Sequence, residues 1–213
     1  MSEPALTPPS PRRITSIEDL EAHYDAPVPR SLIKELDHLN EHYRQFVEKS
    51  PFVAVATSGP GGLDCSPRGD PAGFVRIADD KTLMIPDRRG NNRLDTLRNL
   101  VADPRISLLF LIPGIGETLR INGHAEIVVD EALNDSFAMN EKAPRSVIVV
   151  TINRVYYQCQ KALHRSRLWD PDAQLPRSAL PSAGTMNKVF ADGDFDAEAY
   201  DRNYPEHMKK TIY

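Results

Sequence analysis

Apolar residues in the first quarter of the chain recur at the spacing of helices. Ser16, with Asp19 three residues later, predicts the start of a short helix that runs to about Tyr24. A second helix is predicted from about Pro29 to Lys49, because its apolar positions fall on one stripe. These positions are Leu32, Ile33, Leu36, Leu39, Tyr43, Phe46 and Val47. The pattern therefore predicts a helical segment over residues 14–50.

After Pro51 the pattern changes to short apolar runs separated by turn residues, which is typical of strands. The predicted strands are Phe52–Thr57, Leu63–Ser66, Phe74–Ile77, Thr82–Ile85, Ile106–Ile112, Thr118–Val129 and Ser146–Val155. One helix that ends before Pro104 and a short helix near Glu131–Ala138 interrupt them. Strands joined mostly by tight turns, with helices at the margins, predict an antiparallel barrel of the mainly β, α+β class.

The two ends of the chain differ from this middle part. Residues 1–13 are rich in proline and are predicted to form a flexible tail. The barrel is expected to occupy residues 51–170. Residues 171–213 are weakly periodic and rich in proline and aromatic side chains, so we expect an extended arm that packs at a dimer interface.

Composition narrows the class of protein. Hydrophobic residues make up 40% of the 213, enough for a core, and the net charge of −4 argues against nucleic-acid binding. The longest apolar run, Ile106–Ile112, is too short to cross a bilayer, and no leader or membrane anchor is expected. Cys65 and Cys159 do not make a disulfide framework, so a cytoplasmic location is predicted.

Residues 38–42 contain a possible metal-binding motif. His38-Leu39-Asn40-Glu41-His42 has the spacing of an inverted zinc-peptidase signature. On the predicted helix, His38 and Glu41 project away from the apolar stripe, which favours a solvent-facing side over a closed metal cavity. A zinc site at His38, Glu41 and His42 remains a minor alternative, and no metal is predicted.

The strongest chemical signal is a group of arginines between a strand and a helix. Pro86-Asp87-Arg88-Arg89-Gly90-Asn91-Asn92-Arg93 places three guanidinium groups at a helix N-terminus, a combination that suits a phosphate. A solvated basic loop is the alternative explanation of this cluster taken alone. Three further polar patches accompany it: Ser66–Asp70, Glu117–Arg120 and Lys161–Trp169. Trp169 is the only tryptophan, and a planar phosphorylated cofactor would suit such surroundings.

The order of these pieces resembles the pyridoxamine 5′-phosphate oxidase-like, FMN-binding split-barrel family, in a branch with an added N-terminal helical segment. The resemblance rests on the runs Ser50–Thr57, Asp64–Asp70, Ile85–Arg93, Asp103–Phe110, Arg120–Gly123, Lys161–Leu163 and Arg165–Trp169. It implies an antiparallel split β-barrel with peripheral helices, and a homodimer that holds FMN in clefts between its subunits.

The resemblance also implies which residues bind the cofactor. The primary contacts would be Ser66, Arg68, Pro86, Asp87, Arg88, Arg89, Asn92 and Arg93. Thr118, Leu119 and Arg120 would reach the cofactor of the partner subunit, and Arg165 and Trp169 would close the cleft. Ser66-Pro67-Arg68-Gly69 stands where the vitamin-making oxidases carry Arg-x-Val-Leu-x-Lys, so a different substrate is expected.

The function predicted on this basis is that of an FMN-dependent oxidoreductase acting on a small molecule, with chemistry centred on the flavin and catalytic side chains unknown. Candidate reactions are reduction of a small electrophile by NAD(P)H and oxidation of an amine or alcohol by dioxygen. The alternative is a cofactor-binding module for FMN, haem or a deazaflavin that performs no turnover.

Overall fold

The computed structural model describes residues 12–191 and 193–213. Most of the predicted flexible tail, residues 1–13, therefore lies outside the described residues. The chain divides into two compact units, residues 1–34 and 35–213. Across the part of the chain that the structure describes, no helix is both long and apolar enough to span a membrane.

The first unit contains two short helices, α1 (Ile17–Glu21) and α2 (Pro29–Leu32). Ser16 caps α1 as predicted, because its side chain accepts a hydrogen bond from the backbone N–H of Asp19. The helix α2 begins with a proline at its first position, where the missing N–H has no intrahelical partner to lose.

The predicted continuous helix from Pro29 to Lys49 is wrong. The structure interrupts its middle with an extended stretch around Leu36, and helix α3 (Glu41–Lys49), which is capped by Asn40, follows. Leu36 leaves the helical conformation because it exchanges two backbone hydrogen bonds with Val155, of 2.9 and 2.7 Å. The tertiary pairing therefore outweighs the local periodicity.

The second unit is built on one antiparallel sheet of seven strands. The strands are β1 (Phe52–Gly59), β2 (Gly62–Gly69), β3 (Arg76–Ile77), β4 (Thr82–Pro86), β5 (Arg105–Leu111), β6 (Thr118–Val128) and β7 (Val147–Gln158). Their order is β2-β1-β5-β6-β7-β4-β3, and the sheet is not closed into a barrel. This confirms the predicted antiparallel α+β class, although β3 is shorter than the predicted strand Phe74–Ile77.

The register of the strands separates the side chains into two faces. Val53, Phe110 and Leu119 stand directly opposite one another on β1, β5 and β6, and all three are fully buried. The adjacent row on the same strands, Ala54 and Leu109 with their neighbours, is only half-buried. The apolar core therefore lies on one side of the curled sheet, and the other side remains accessible.

Helix α4 (Asp95–Ala102) lies against the edge of the sheet near β1 and β2. It confirms the helix that the sequence predicts before Pro104. Asn99 donates a hydrogen bond to Thr57 of 3.2 Å, and a side chain at Gly59 would collide with Asn99. The close approach that Gly59 allows therefore fixes α4 beside β1. The remaining helices of the sheet region are α5 (Glu131–Ser136) and α6 (Lys161–Ser166).

The extended conformation predicted for residues 171–213 is wrong, because two helices form within them, whereas the packing of this arm at a dimer interface stays a prediction. Helices α7 (Ala183–Phe190) and α8 (Ala197–Thr211) are capped by Ser182 and Asp196, respectively. They are tied together where the backbone N–H of Gly184 donates to Asp201, at 2.8 Å. Helix α8 also contains Pro205, which weakens the sequence signal for a helix of this length.

We expect Gly123→Ala to destabilise the fold. At the register shift between Asn122 and Gly123, a Cβ atom would overlap the backbone oxygen of Thr151. Backbone atoms cannot move aside as a flexible side chain can, so the loss should be about 2–3 kcal/mol, or roughly 5–10 °C in Tm. Gly61→Ala is the control, because no atom of the described residues lies within 4 Å of its Cβ position. Equal Tm values for the two variants in calorimetry would contradict this packing.

Candidate functional site

A row of polar side chains on β2 occupies the core side of the sheet. Asp64, Ser66 and Arg68 alternate with exposed residues and pair in register with Thr57, Val55 and Val53, which are buried. Since directly paired residues of antiparallel strands share a face, these polar groups point to the same side as the core valines. Edge strand β2 therefore places hydrogen-bonding groups where the strand beside it places apolar ones.

The polar row is held by the first turn of α4. Thr96 is 2% exposed, and its hydroxyl donates to the carboxylate of Asp64 at 2.6 Å. Ser66 donates to the same carboxylate at 2.9 Å, and Nη2 of Arg68 donates to Thr96 Oγ1 at 3.3 Å. The start of α4 and the inner face of β2 thus form one hydrogen-bonded unit.

Asp87 joins this unit from the loop that follows β4. Its carboxylate lies 3.8 Å from Nη2 of Arg68, and its backbone N–H donates to the oxygen of Ser146 at 3.0 Å. Burial raises the pKa of the Asp87 carboxyl, and the positive charges of Arg68 and Arg145 only partly offset that effect. The preceding Pro86 is buried at the end of β4, beside Val147.

Arg88 is directed into the protein. Its Nε donates to Asp70 at 2.7 Å, and its Nη1 donates to the backbone oxygen of Phe137 at 2.6 Å. The side chain is 16% exposed, and that of Asp70 is 1% exposed. Two of the three guanidinium nitrogens of Arg88 therefore donate to other parts of the chain.

Residues 89–93, which we call the arginine loop, are exposed and lead directly into α4. Asn92 and Leu94 have φ angles of 59° and 61°, a left-handed conformation that turns the chain sharply before the helix. Arg93 donates through Nε to Asp95 at 2.8 Å, and its backbone N–H donates to Asn91 at 3.0 Å.

The beginning of α4 is suited to an anion. Leu94, the N-cap residue, has no polar side-chain atom, so it cannot accept a hydrogen bond from the first N–H groups of α4. The positive end of the helix dipole lies at the same place as the guanidinium groups of the arginine loop. The structure therefore brings together Ser66, Arg68, Asp87 and the arginine loop at one end of α4.

The other predicted residues lie on β6 and around α6. Arg120 donates to the hydroxyl of Tyr156 at 3.1 Å and to Gln158 at 3.4 Å, and Thr118 and Leu119 are buried. Nε1 of Trp169 donates to the oxygen of Ile115 at 2.8 Å, and Trp169 borders a groove of about 480 Å³. Its lining residues are Gly114, Gly116, Gln160, Leu163, His164, Arg167, Trp169 and Asp170. Arg165 is exposed on α6 and is not among them.

Arg68 and Arg120 lie on opposite faces of the sheet. Arg68 belongs to the inner row that continues through Val53 and Phe110. Arg120 belongs to the outer row, which continues through Leu109 and Ala54. A single chain therefore does not bring Arg68 and Arg120 to the same point.

The zinc motif does not form a metal site. His38 lies before α3 and shares a 2.8 Å hydrogen bond with Asp37, while Glu41 and His42 are in the helix itself. Within residues 12–191 and 193–213, no group of three or more His, Cys, Asp or Glu side chains is placed to hold a metal ion.

Four residues at or near the site are not among the cofactor contacts predicted from the sequence: Asp64, Asp70, Thr96 and Tyr213. Asp64 could have been found, because it shares the two-residue alternation of Ser66 and Arg68 along the strand. Asp70 continues the same alternation at the end of the predicted patch Ser66–Asp70. Thr96 and Tyr213 are brought to the site by contacts between distant segments, and no local pattern marks them.

Comparison with known proteins identifies the family. The family model described as pyridoxamine 5′-phosphate oxidase matches residues 39–159, which is more than half of the chain and includes all seven strands. The chain therefore belongs to the pyridoxamine 5′-phosphate oxidase family, as the resemblance predicts. A search of curated proteins gives no match.

Several solved structures share similarity with part of the chain. HupZ from Group A Streptococcus is 19% identical, with a TM-score of 0.48, over 57% of this chain and 94% of its own. An F420 reductase is 19% identical, with a TM-score of 0.41, over 56% and 98%. An FMN-binding protein from Syntrophomonas wolfei subsp. wolfei is 13% identical, with a TM-score of 0.40, over 54% and 86%.

The raised pKa of Asp87 predicts how a neutral replacement changes stability. At pH 7 the charged carboxylate opposes folding, because its pKa in the folded protein lies above the ordinary 3.8. We expect Asp87→Asn to raise Tm at pH 7, and the difference to shrink as the pH falls through the raised pKa, where the wild-type carboxyl becomes neutral in the folded protein. Asp194→Asn, at an exposed position, is the control for thermal unfolding at both pH values. A lower Tm for Asp87→Asn at pH 7 would show that the attraction of Arg68 and Arg145 is the larger effect.

Proposed function

We propose that the protein is an FMN-binding flavoprotein and an FMN-dependent oxidoreductase that acts on a small molecule. The observation that carries this proposal is the exposed arginine loop at the start of α4, beside Arg68. Membership of the pyridoxamine 5′-phosphate oxidase family supports it, because that family resemblance implies FMN. When bound, FMN would supply the electron transfer, and the protein would supply orientation and electrostatics.

The residues present fit a phosphate group. Arg89 and Arg93 are exposed at the helix start, and their guanidinium groups would make charge-assisted hydrogen bonds to phosphate oxygens. The side chain of Asn92 and the first N–H groups of α4 would donate further hydrogen bonds. Arg68 would neutralise charge from the β2 side, while Ser66 would add a hydroxyl. Pro86 and Asp87 would border the ligand.

We also propose that the functional form is a homodimer. The outer face of the sheet presents half-buried apolar side chains, including Ala54, Ala56, Leu109 and Leu111, together with Leu63, which is 88% exposed. A second copy of the chain would bury this face. It would also bring Thr118 and Arg120 from the partner's outer face, with Leu119 between them on β6, to the cofactor held by the arginine loop.

Arg165, Trp169 and the C-terminal helices would complete the cleft. Trp169 borders the groove, Arg165 is exposed on α6, and both would close the cleft over the cofactor. On α7, Val189 is 75% exposed and Phe190 is 84% exposed, which is unusual for large apolar side chains and supports packing of residues 171–213 on the partner.

The phosphate assignment predicts a specific loss of affinity. We expect Arg93→Ala to weaken FMN binding by roughly 10–100-fold, because one charge-assisted hydrogen bond contributes about 1.5–3 kcal/mol. Riboflavin lacks the phosphate, so its affinity should change little. Arg98→Ala is the matched control, since Arg98 is exposed one turn further along α4. Fluorescence titration with both ligands measures the effect. An equal loss of affinity for FMN and riboflavin would contradict the assignment of the phosphate to the arginine loop.

Oxidoreductase activity is tested by anaerobic titration of the FMN-loaded protein with NADH and NADPH. Bleaching of the flavin by either nucleotide, followed by reoxidation in air, is the expected result for an oxidoreductase that uses NAD(P)H. Reduction by dithionite alone, with no activity towards amine or alcohol donors, would favour the alternative of a cofactor-binding module.

The dimer proposal predicts the effect of a charge on the outer face. Ala54→Arg should give a monomer in light scattering at micromolar concentration, because two buried guanidinium groups would face an apolar surface. The same variant should bind FMN weakly, since the residues that the partner would bring to the cofactor are lost. Val101→Arg, at a position 80% exposed on α4, should leave both properties unchanged. A wild-type monomer at that concentration would contradict the shared-cleft proposal.

A further inference from the structure

A nearly buried carboxylate lies at the base of the arginine loop. Asp70 is 1% exposed, and its Oδ2 accepts a 2.7 Å hydrogen bond from Nε of Arg88. Its Oδ1 accepts a 2.6 Å hydrogen bond from the hydroxyl of Tyr213. Each carboxylate oxygen thus has a named donor, one from each of two residues that are far apart in the sequence.

Further contacts of Asp70, Arg88 and Tyr213 join several segments of the chain. Asp70 follows β2 and donates its backbone N–H to Pro51 at 3.1 Å. Arg88 follows β4 and reaches the backbone oxygen of Phe137, the residue that ends α5. Tyr213 follows α8, and its backbone oxygen accepts from Nζ of Lys142 at 3.0 Å. We call Asp70, Arg88 and Tyr213 the Asp70 clamp.

The clamp fixes the residue from which the arginine loop begins. Arg88 is held on two sides by distant segments, whereas Arg93, at the other end of the loop, donates to the neighbouring residues Asn91 and Asp95. The position of residues 89–93 therefore depends on Arg88 at one end and on α4 at the other.

The phenol of Tyr213 is suited to hold the carboxylate. Its ring lies 5.6 Å from the Arg88 guanidinium carbon, so it contacts both members of the ion pair. The hydrogen bond to Asp70 and burial raise the pKa of Tyr213, so the hydroxyl stays protonated and remains a donor at neutral pH. If the hydroxyl is removed, a buried carboxylate oxygen loses its donor, which is costly enough to change the geometry around Arg88.

We propose that Tyr213 is a positioning residue for the arginine loop and that it acts on the cofactor phosphate through Asp70 and Arg88. This inference rests on the proposed function, in which the loop binds the FMN phosphate. It gives Tyr213 a role that requires no contact with the ligand. It also makes Arg88 the anchor of the loop, while Arg89 and Arg93 face the phosphate.

The first measurement is hydrogen exchange of the unliganded protein. In Tyr213→Phe, which keeps the ring but removes the hydroxyl, backbone N–H groups of residues 88–94 should exchange about tenfold faster than in the wild type. Tyr204→Phe is the matched control, because Tyr204 is in the same C-terminal part of the chain and its ring, which the variant keeps, packs on Tyr200 and beside His207. Exchange that is unchanged in Tyr213→Phe would overturn the proposal.

The second measurement compares two ligands. Tyr213→Phe should raise the Kd for FMN by about three- to tenfold and leave the Kd for riboflavin nearly unchanged, because only the phosphate contacts depend on the loop. A merely structural role would weaken both ligands alike, and that result would overturn the proposal. If Tyr213→Phe does not fold, Lys142→Gln takes its place, since Lys142 is an exposed residue that holds the backbone of Tyr213.

The two measurements separate the inference from the function on which it rests. If the wild type binds neither FMN nor any phosphate-bearing flavin, the proposed function fails, and the role of Tyr213 towards a cofactor phosphate fails with it. The exchange data still decide whether the clamp holds the loop. If the wild type prefers FMN to riboflavin and Tyr213→Phe keeps that full preference, only the inference about Tyr213 is overturned.

Discussion

The central constraint of this structure is that an open sheet must satisfy polar groups on the core side of its edge strand. Asp64, Ser66 and Arg68 face the same side as the core valines of β1, and they cannot remain there without hydrogen-bond partners. The first turn of α4 and the loop after β4 supply those partners through Thr96 and Asp87. The place where the fold needs polar partners is therefore also the place where an anion can be held.

The same arrangement explains why neighbouring arginines have different environments. Arg88 is paired with a buried carboxylate, so its charge is neutralised inside the protein. Arg89 and Arg93 are exposed at a helix start, where an anionic ligand would add favourable contacts. A sequence shows three equivalent basic residues, and only the packing around Asp70 distinguishes the anchoring position from the exposed ones.

Much of the fold could be predicted because strand alternation and turn residues are local signals. The strands around Val53, Leu108 and Ile121 follow directly from them. The break in the helix at Leu36 could not be predicted, since it depends on pairing with Val155, more than a hundred residues away. Helices α7 and α8 were missed because Pro205 and weak periodicity mask them, although Ser182 and Asp196 are good capping residues.

The parts of the candidate site that are continuous in sequence could be predicted, and the contacts between distant segments could not. The arginine loop and the β2 patch are continuous in sequence, so their chemistry is visible in the residues themselves, and the structure brings them to one end of α4. Asp70 and Tyr213 are 143 positions apart, and their contact depends on the tertiary fold alone. The separation of Arg68 and Arg120 onto opposite faces follows from strand register, which a sequence pattern does not define.

The most direct test of this account is the visible absorption spectrum of the purified protein, with mass spectrometry of whatever heat denaturation releases. We expect the two bands of an oxidised flavin and the mass of FMN, or the uptake of added FMN by a colourless preparation. A colourless protein that does not bind added FMN would contradict it, and the arginine loop would then have to serve a different phosphate.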